Sequence, residues 1–232
     1  VVTLDLPQSI ATTATPTFGG MMLNGGLTGT TANFSGAVTA GSVSALRLDV
    51  GTNVGVTNIN TIIGIDALPL AQSGAGGNVA VGFTALGLAQ TANNSTSVGY
   101  GALSTQTGGS NNTALGYLAM GLATGGSAST AVGVEALYNN QGVGNTAVGR
   151  SALRANTTGA RNTAFGFNAL DTNTTGLNNA AFGYDADVTV DNLAGATAIG
   201  PYSRVSTSNT LVLGGLGVNK SGTSEDDQIV IG

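Results

Sequence analysis

Asn162-Thr163-Ala164-Phe165-Gly166-Phe167-Asn168-Ala169-Leu170 is one copy of a phrase that recurs over more than half of this 232-residue chain. With its glycine as a marker, the copies fall at Gly64, Gly82, Gly99, Gly116, Gly133, Gly149, Gly166, Gly183 and Gly200, at spacings of 18, 17, 17, 17, 16, 17, 17 and 17. A period this regular is the signature of a stacked repeat, in which each unit buries its apolar face only against its neighbours.

Counted from the marker, the columns are uniform. Position −2 is small (Ala80, Ser97, Ala114, Ala131, Ala147, Ala164, Ala181, Ala198), Ile62 excepted. Position −1 is apolar throughout, from Ile63 through Val132, Val148 and Phe165 to Ile199. Positions +3 and +4 read Ala-Leu, as in Ala152-Leu153 and Ala169-Leu170, until Asp187 and Arg204 take the Leu column in the last two copies. A polar end facing water is expected there, where a solenoid core closes.

Between copies lies a turn of Thr, Asn, Ser and Gly, with a second glycine ten residues after the marker at Gly109, Gly126, Gly159 and Gly176. These glycines are expected to supply positive φ. A helix would carry two glycines per unit at up to about 1 kcal/mol each, which excludes it. Each coil is expected instead to hold two strands of about five residues, with successive coils ~4.8 Å apart. Because strand residues alternate faces, the small and the large apolar columns point opposite ways. The small face, with Ala114, Ala131, Ala147 and Ala164, is expected to meet another chain, and the large one to fill a thin interior. An apolar face left in water is an association site, so sister chains are the expected partners.

With 38 Gly, no Trp, Cys or His, 7% charged residues and a mean hydropathy of +0.24, the chain buries small side chains and is no disordered polyelectrolyte. A net charge of −5 with six Lys and Arg argues against wrapping nucleic acid. No apolar run approaches the ~20 residues of a membrane helix. The beginning Val1-Val2-Thr3 reads as an internal cut through a longer fibre or secreted chain.

Catalysis would have to use paired carboxylates, because neither His nor Cys is present. Asp185, Asp187 and Asp191 read more simply as polar capping of the last coils, so no catalytic residue, metal or cofactor is expected. A ladder of Thr61, Thr96, Thr113, Thr130, Thr146, Thr163 and Thr197 suits strands better than an ice-binding plane. Asn94, Asn111, Asn156 and Asn173 open Asn-x-Thr triplets and read as turn residues. The candidate ligand contacts are Arg150, Arg154 and Arg161 in adjacent coils, and Tyr184, Asp185, Asp187, Tyr202 and Arg204 where the pattern decays.

The phrases Asn145-Thr146-Ala147-Val148-Gly149 and Asn162-Thr163-Ala164-Phe165-Gly166, with their following Ala-Leu, resemble the YadA-type head repeats of trimeric autotransporter adhesins. They are still more similar to repeats of phage tail fibres and related bacterial surface fibres, among them prey-recognition fibres of predatory bacteria. The lead-in Leu4-Asp5-Leu6-Pro7 is similar to fibre shafts, and Gln228-Ile229-Val230-Ile231-Gly232 to the strand before a self-cleaving chaperone. The resemblance implies an all-β, left-handed parallel β-roll in a homotrimeric fibre. Its expected parts are an intertwined shaft over 1–58, a head over 59–214 and a distal closing element over 215–232. The trimer interface and core would involve Ala114, Ala131, Ala147, Ala164, Val132, Val148, Phe165, Leu153 and Leu170. The implied role is extracellular attachment to a glycan or protein on a target cell, with no insertion of this segment into a membrane. A passive spacer carrying a separate tip is the alternative, and a polysaccharide-degrading spike the third reading.

Overall fold

The computed structural model describes residues 60–69, 76–89 and 91–214, and the backbone of two short strands beyond them. Contacts divide the chain into Val1–Arg47 and Leu48–Gly232, and every described residue belongs to the second unit. The expected shaft over 1–58 lies outside the described residues, as does most of the closing element.

The described chain is a parallel β-solenoid without helices. Each coil carries one three-residue strand: β1 (Thr61–Ile63), β2 (Val79–Val81), β3 (Thr96–Val98), β4 (Thr113–Leu115), β5 (Thr130–Val132), β6 (Thr146–Val148), β7 (Thr163–Phe165) and β8 (Ala180–Phe182). After β9 (Asp187–Val188) the series continues with β10 (Thr197–Ile199), β11 (Arg204–Val205) and β12 (Leu211–Leu213). Strands β1 to β8, β10 and β12 form one ten-stranded sheet in which equal columns stand side by side, Ala147 between Ala131 and Ala164. β9 pairs with β11, and β13 (Gly217–Val218) with β14 (Ser224–Glu225).

The second strand expected in every coil is absent from most of them. Residues +2 and +4 are left-handed: Glu135, Ser151 and Asn168 have φ of 52 to 56°, and the core leucines from Leu68 to Leu170 lie between 43 and 54°. Two reversals within three residues fold the +3/+4 pair inward as a corner. Stacked corners still bond coil to coil, Leu153 N–H donating to Ala169 O at 2.9 Å and Leu170 N–H to Ala186 O at 2.9 Å. A left-handed Leu is strained by roughly 1–2 kcal/mol, and burial of its side chain offsets this by a similar amount or more. Extended backbone returns only at β9 and β11, where the Leu column has ended.

The alanine face is corrected by the structure. Ala114, Ala131, Ala147 and Ala164 are fully buried within a single chain, with Leu137, Leu153 and Leu170 in the same core. A coil this slender has room for Ala on one wall only because Leu reaches in from the other. The large −1 residues therefore point outward: Val132 and Val148 are half-exposed and Phe165 is 40% exposed.

Asparagine lines the rest of the interior. At position −4, Asn145 Oδ1 accepts from Asn162 N–H at 2.8 Å, Asn162 Oδ1 from Asn179 N–H at 2.9 Å, and Asn179 Oδ1 from Ala196 N–H at 2.8 Å. Each side-chain amide also donates to a turn carbonyl of the next coil, Asn145 to Gly159 O at 2.7 Å and Asn162 to Gly176 O at 2.8 Å. Asn140, Asn156 and Asn173 form a second internal ladder, with Nδ2 to Oδ1 distances of 2.8 and 3.0 Å. Asn156 and Asn173 are thus fully buried core residues, not exposed turn residues. The cause is that turn backbone packed inside a coil needs polar partners.

The turn glycines Gly109, Gly126, Gly159 and Gly176 also differ from expectation, because none has positive φ. Close approach excludes a side chain there: a Cβ on Gly109 would meet Gly126 O at 2.0 Å. The marker glycines combine both demands, Gly166 having φ +140° and a would-be Cβ 2.1 Å from Gly183 O.

Gly166→Ala is expected to abolish or severely destabilise folding, because the obstructing atom is backbone of the next coil. Gly125→Ala, with nothing within 4 Å of the added carbon, is expected to leave the melting temperature unchanged; thermal unfolding followed by circular dichroism checks both. Asn162→Ala is expected to cost about 1–3 kcal/mol for each of the two groups it orphans. Asn162→Asp should cost more at neutral pH and recover on acidification, because only the protonated acid can donate to Gly176 O; urea titrations across pH read the difference.

Candidate functional site

Two outward columns give the solenoid an apolar face. Position −1 supplies Ile63, Leu115, Phe165, Phe182 and Ile199, and position +1 supplies Ile65, Phe83, Tyr100, Tyr117, Val134, Tyr184 and Pro201, all exposed. Unit spacing makes rings of successive coils stack: Phe83 on Tyr100 at 5.2 Å, Tyr100 on Tyr117 at 5.4 Å, Phe165 on Phe182 at 5.5 Å and Phe167 on Tyr184 at 5.2 Å. Aromatic pairs of this kind favour offset packing. Arg150 interrupts the +1 column, its guanidinium carbon 5.4 Å from the centre of the Phe167 ring.

Around the corner from this face lies a polar patch. Arg154 Nε donates to Glu135 Oε2 at 2.8 Å and its guanidinium carbon lies 5.8 Å from the Tyr138 ring centre. The hydrogen bond and the charge of Glu135 raise the Arg154 pKa. One coil further on, Asp171 has a buried Oδ1 without a hydrogen-bond partner. Burial raises its pKa, the Arg154 charge opposing and that of Asp185 adding.

Towards the last coils the patch continues through Asp187, Arg204 and Tyr202. Asp187 was expected to face water but is 4% exposed, because β9 turns it in beside Val188. Its oxygens accept from Val188 N–H at 2.8 Å and Thr172 N–H at 3.1 Å, and Arg204 stands 4.0 Å away. Burial still raises its pKa above the ordinary value. Arg204 donates to the Asp185 carbonyl, and the Tyr202 ring packs edge-on against Tyr184 at 5.2 Å. The Asp185 charge raises the pKa of the Tyr184 hydroxyl.

The structure therefore brings Tyr184, Asp185, Asp187, Tyr202 and Arg204 together, as their shared decay of pattern suggests. It separates the three arginines: Arg150 is on the apolar face, Arg154 on the polar patch, and Arg161 at a left-handed turn position, φ 57°, on a third column. Glu135, Tyr138 and Asp171 escaped sequence reasoning. Tyr138, Arg154 and Asp171 share position +5, which is Pro69, Gly87, Ser104 and Gly121 in the earlier copies, whereas Glu135 stands in the +2 column that also holds Asp66 and Asp185. Among the described residues no group of three Asp or Glu is placed to hold a metal ion, and no helix is long and apolar enough to cross a membrane.

Asp171 and Asp191 make opposite pH predictions. Asp191 accepts from the N–H and hydroxyl groups of Thr174 and Thr175, at 2.5 to 3.1 Å. Burial works to raise its pKa, but these bonds and Asn192 N–H hold the carboxyl well below the usual range. Its stabilisation is present above about pH 4 and lost as pH falls through the folded pKa, so Asp191→Asn should lower the melting temperature at neutral pH and progressively less in acid. Asp171, with a raised folded pKa, is ionised at a cost at neutral pH. Asp171→Asn should therefore raise the melting temperature there, and the gain should vanish below about pH 4. No protein-family model matches this chain, and no curated protein is similar to it.

Proposed function

We propose that this chain is a segment of an extracellular, non-enzymatic fibre in which three copies lie side by side and attach to a target cell surface. The carrying observation is the double outward column of Val, Leu, Ile, Phe and Tyr along the described coils, which the chain's own atoms cover only in part. Apolar surface of this length is covered in water by association, and identical copies have matching columns at matching levels. The resemblance to trimeric head repeats supports three copies in particular.

In this reading the two sides of the corner divide the work. The −1/+1 face, with Phe165, Tyr117 and Tyr184, joins the copies. The polar patch with Arg154, Tyr202 and Arg204 stays open to a glycan or protein on the target cell. Each contact is repeated three times on a rigid support, so weak binding at one copy becomes firm attachment to a multivalent surface.

The native mass at micromolar concentration is expected to be that of a trimer, and a monomeric mass would overturn the reading. Phe165→Lys is expected to shift the mass to monomer. Tyr202→Ala with Arg204→Ala should leave the trimer intact while reducing retention of fluorescently labelled protein on cells or glycan arrays by about tenfold or more. Unchanged retention would remove the polar patch from the attachment role.

A further inference from the structure

Arg150 is the one charge on the apolar face of the described coils. Its column is otherwise Ile65, Phe83, Tyr100, Tyr117, Val134, Phe167, Tyr184 and Pro201, and its neighbour at −1 is Val148. Among the described residues its guanidinium has no carboxylate or carbonyl partner, and it lies over the Phe167 ring. Water satisfies such a group on a free chain. Covering the face with apolar side chains would leave an unpaired cation in a dry seam, at a cost that association cannot carry unless an acceptor arrives with the partner.

Carboxylates fringing this face stand in a single column, +2, as Asp66, Glu135 and Asp185. Of these, Glu135 alone is one coil from Arg150, an axial offset of ~4.8 Å that an arginine side chain spans. Its Oε2 is taken by Arg154 of its own chain at 2.8 Å, while Oε1 accepts no hydrogen bond among the described residues. A free carboxylate oxygen and a free guanidinium, one coil apart at the same corner, are complementary.

We infer that Arg150 of one copy pairs with Glu135 of a neighbouring copy lying parallel to it. The inference rests on the self-association read above. The occupant of the face is a second copy of this chain, and charge complementarity identifies it.

The test is a charge swap read by native mass spectrometry and by dilution, with far-ultraviolet circular dichroism confirming that each variant folds. R150E and E135R alone should each weaken assembly by about tenfold or more, because each sets like charges together, and the double variant R150E/E135R should recover most of that loss. R154A, which releases Glu135 inside its own chain, should leave assembly within about threefold of the parent. A parent chain that is monomeric overturns the self-association reading itself. A parent that assembles, with single variants as tight as the parent or a double variant no better than the singles, overturns the ion pair and leaves self-association standing.

Discussion

The closeness of successive backbones at the marker glycine governs the rest of this molecule. A Cβ on any marker from Gly64 to Gly183 would fall 2.1 to 2.6 Å from carbonyl or backbone carbon atoms of the next marker. At that separation one coil lies on another with no side chain between them. Columns then have to stay level, rings repeat at 5.2 to 5.5 Å, and polar groups inside find partners in their own coil or in the next. The buried asparagines meet that demand: one amide serves the next coil's N–H with its oxygen and the next turn's carbonyl with its nitrogen.

The same slenderness explains the surface. Since the interior accommodates Ala opposite Leu and little else, the larger apolar residues of each strand are forced outside. An ordinary globule would hide Phe165 and Phe182 in its core; here the core has no space for them. Apolar exposure is thus a geometric result of thin coils, and the proposed sharing of that surface among copies follows from the architecture more than from any one residue.

Much of this was legible in the chain itself. Nine glycines at a nearly constant period implied stacked parallel coils, and the regular Ala-Leu pair implied a continuous core. Which side was inside was not legible, because alternation assigns opposite faces to Ala147 and Val148 without saying which is interior. The left-handed corners at positions +2 and +4 were hidden because Leu and Glu are poor advertisements for positive φ; only tertiary packing holds them there. Asn156 and Asn173 were read as turn residues, since propensity associates Asn with turns whether its amide points out or in, and Asn145 and Asn162 stood in the repeat phrase without a role. At the proposed site, Tyr202 and Arg204 were marked by loss of pattern. Asp171 and Glu135 were not, as each lay within a copy whose −2, −1, +3 and +4 columns are intact.

The internal amide ladder has a consequence for how such a chain can change in length. At Asn145, Asn162 and Asn179 the side-chain oxygen accepts the N–H of the same position one coil on, and the series ends at Ala196, which donates its N–H but has no side-chain oxygen to accept the next one. The following marker, Gly214, comes only 14 residues after Gly200. Excising or duplicating one whole unit in the middle, marker to marker, would restore each bond with an equivalent group. The number of coils is therefore adjustable by gene-level copying of a unit, with the cluster of Tyr202, Asp187 and Arg204 in the last described coils unaltered.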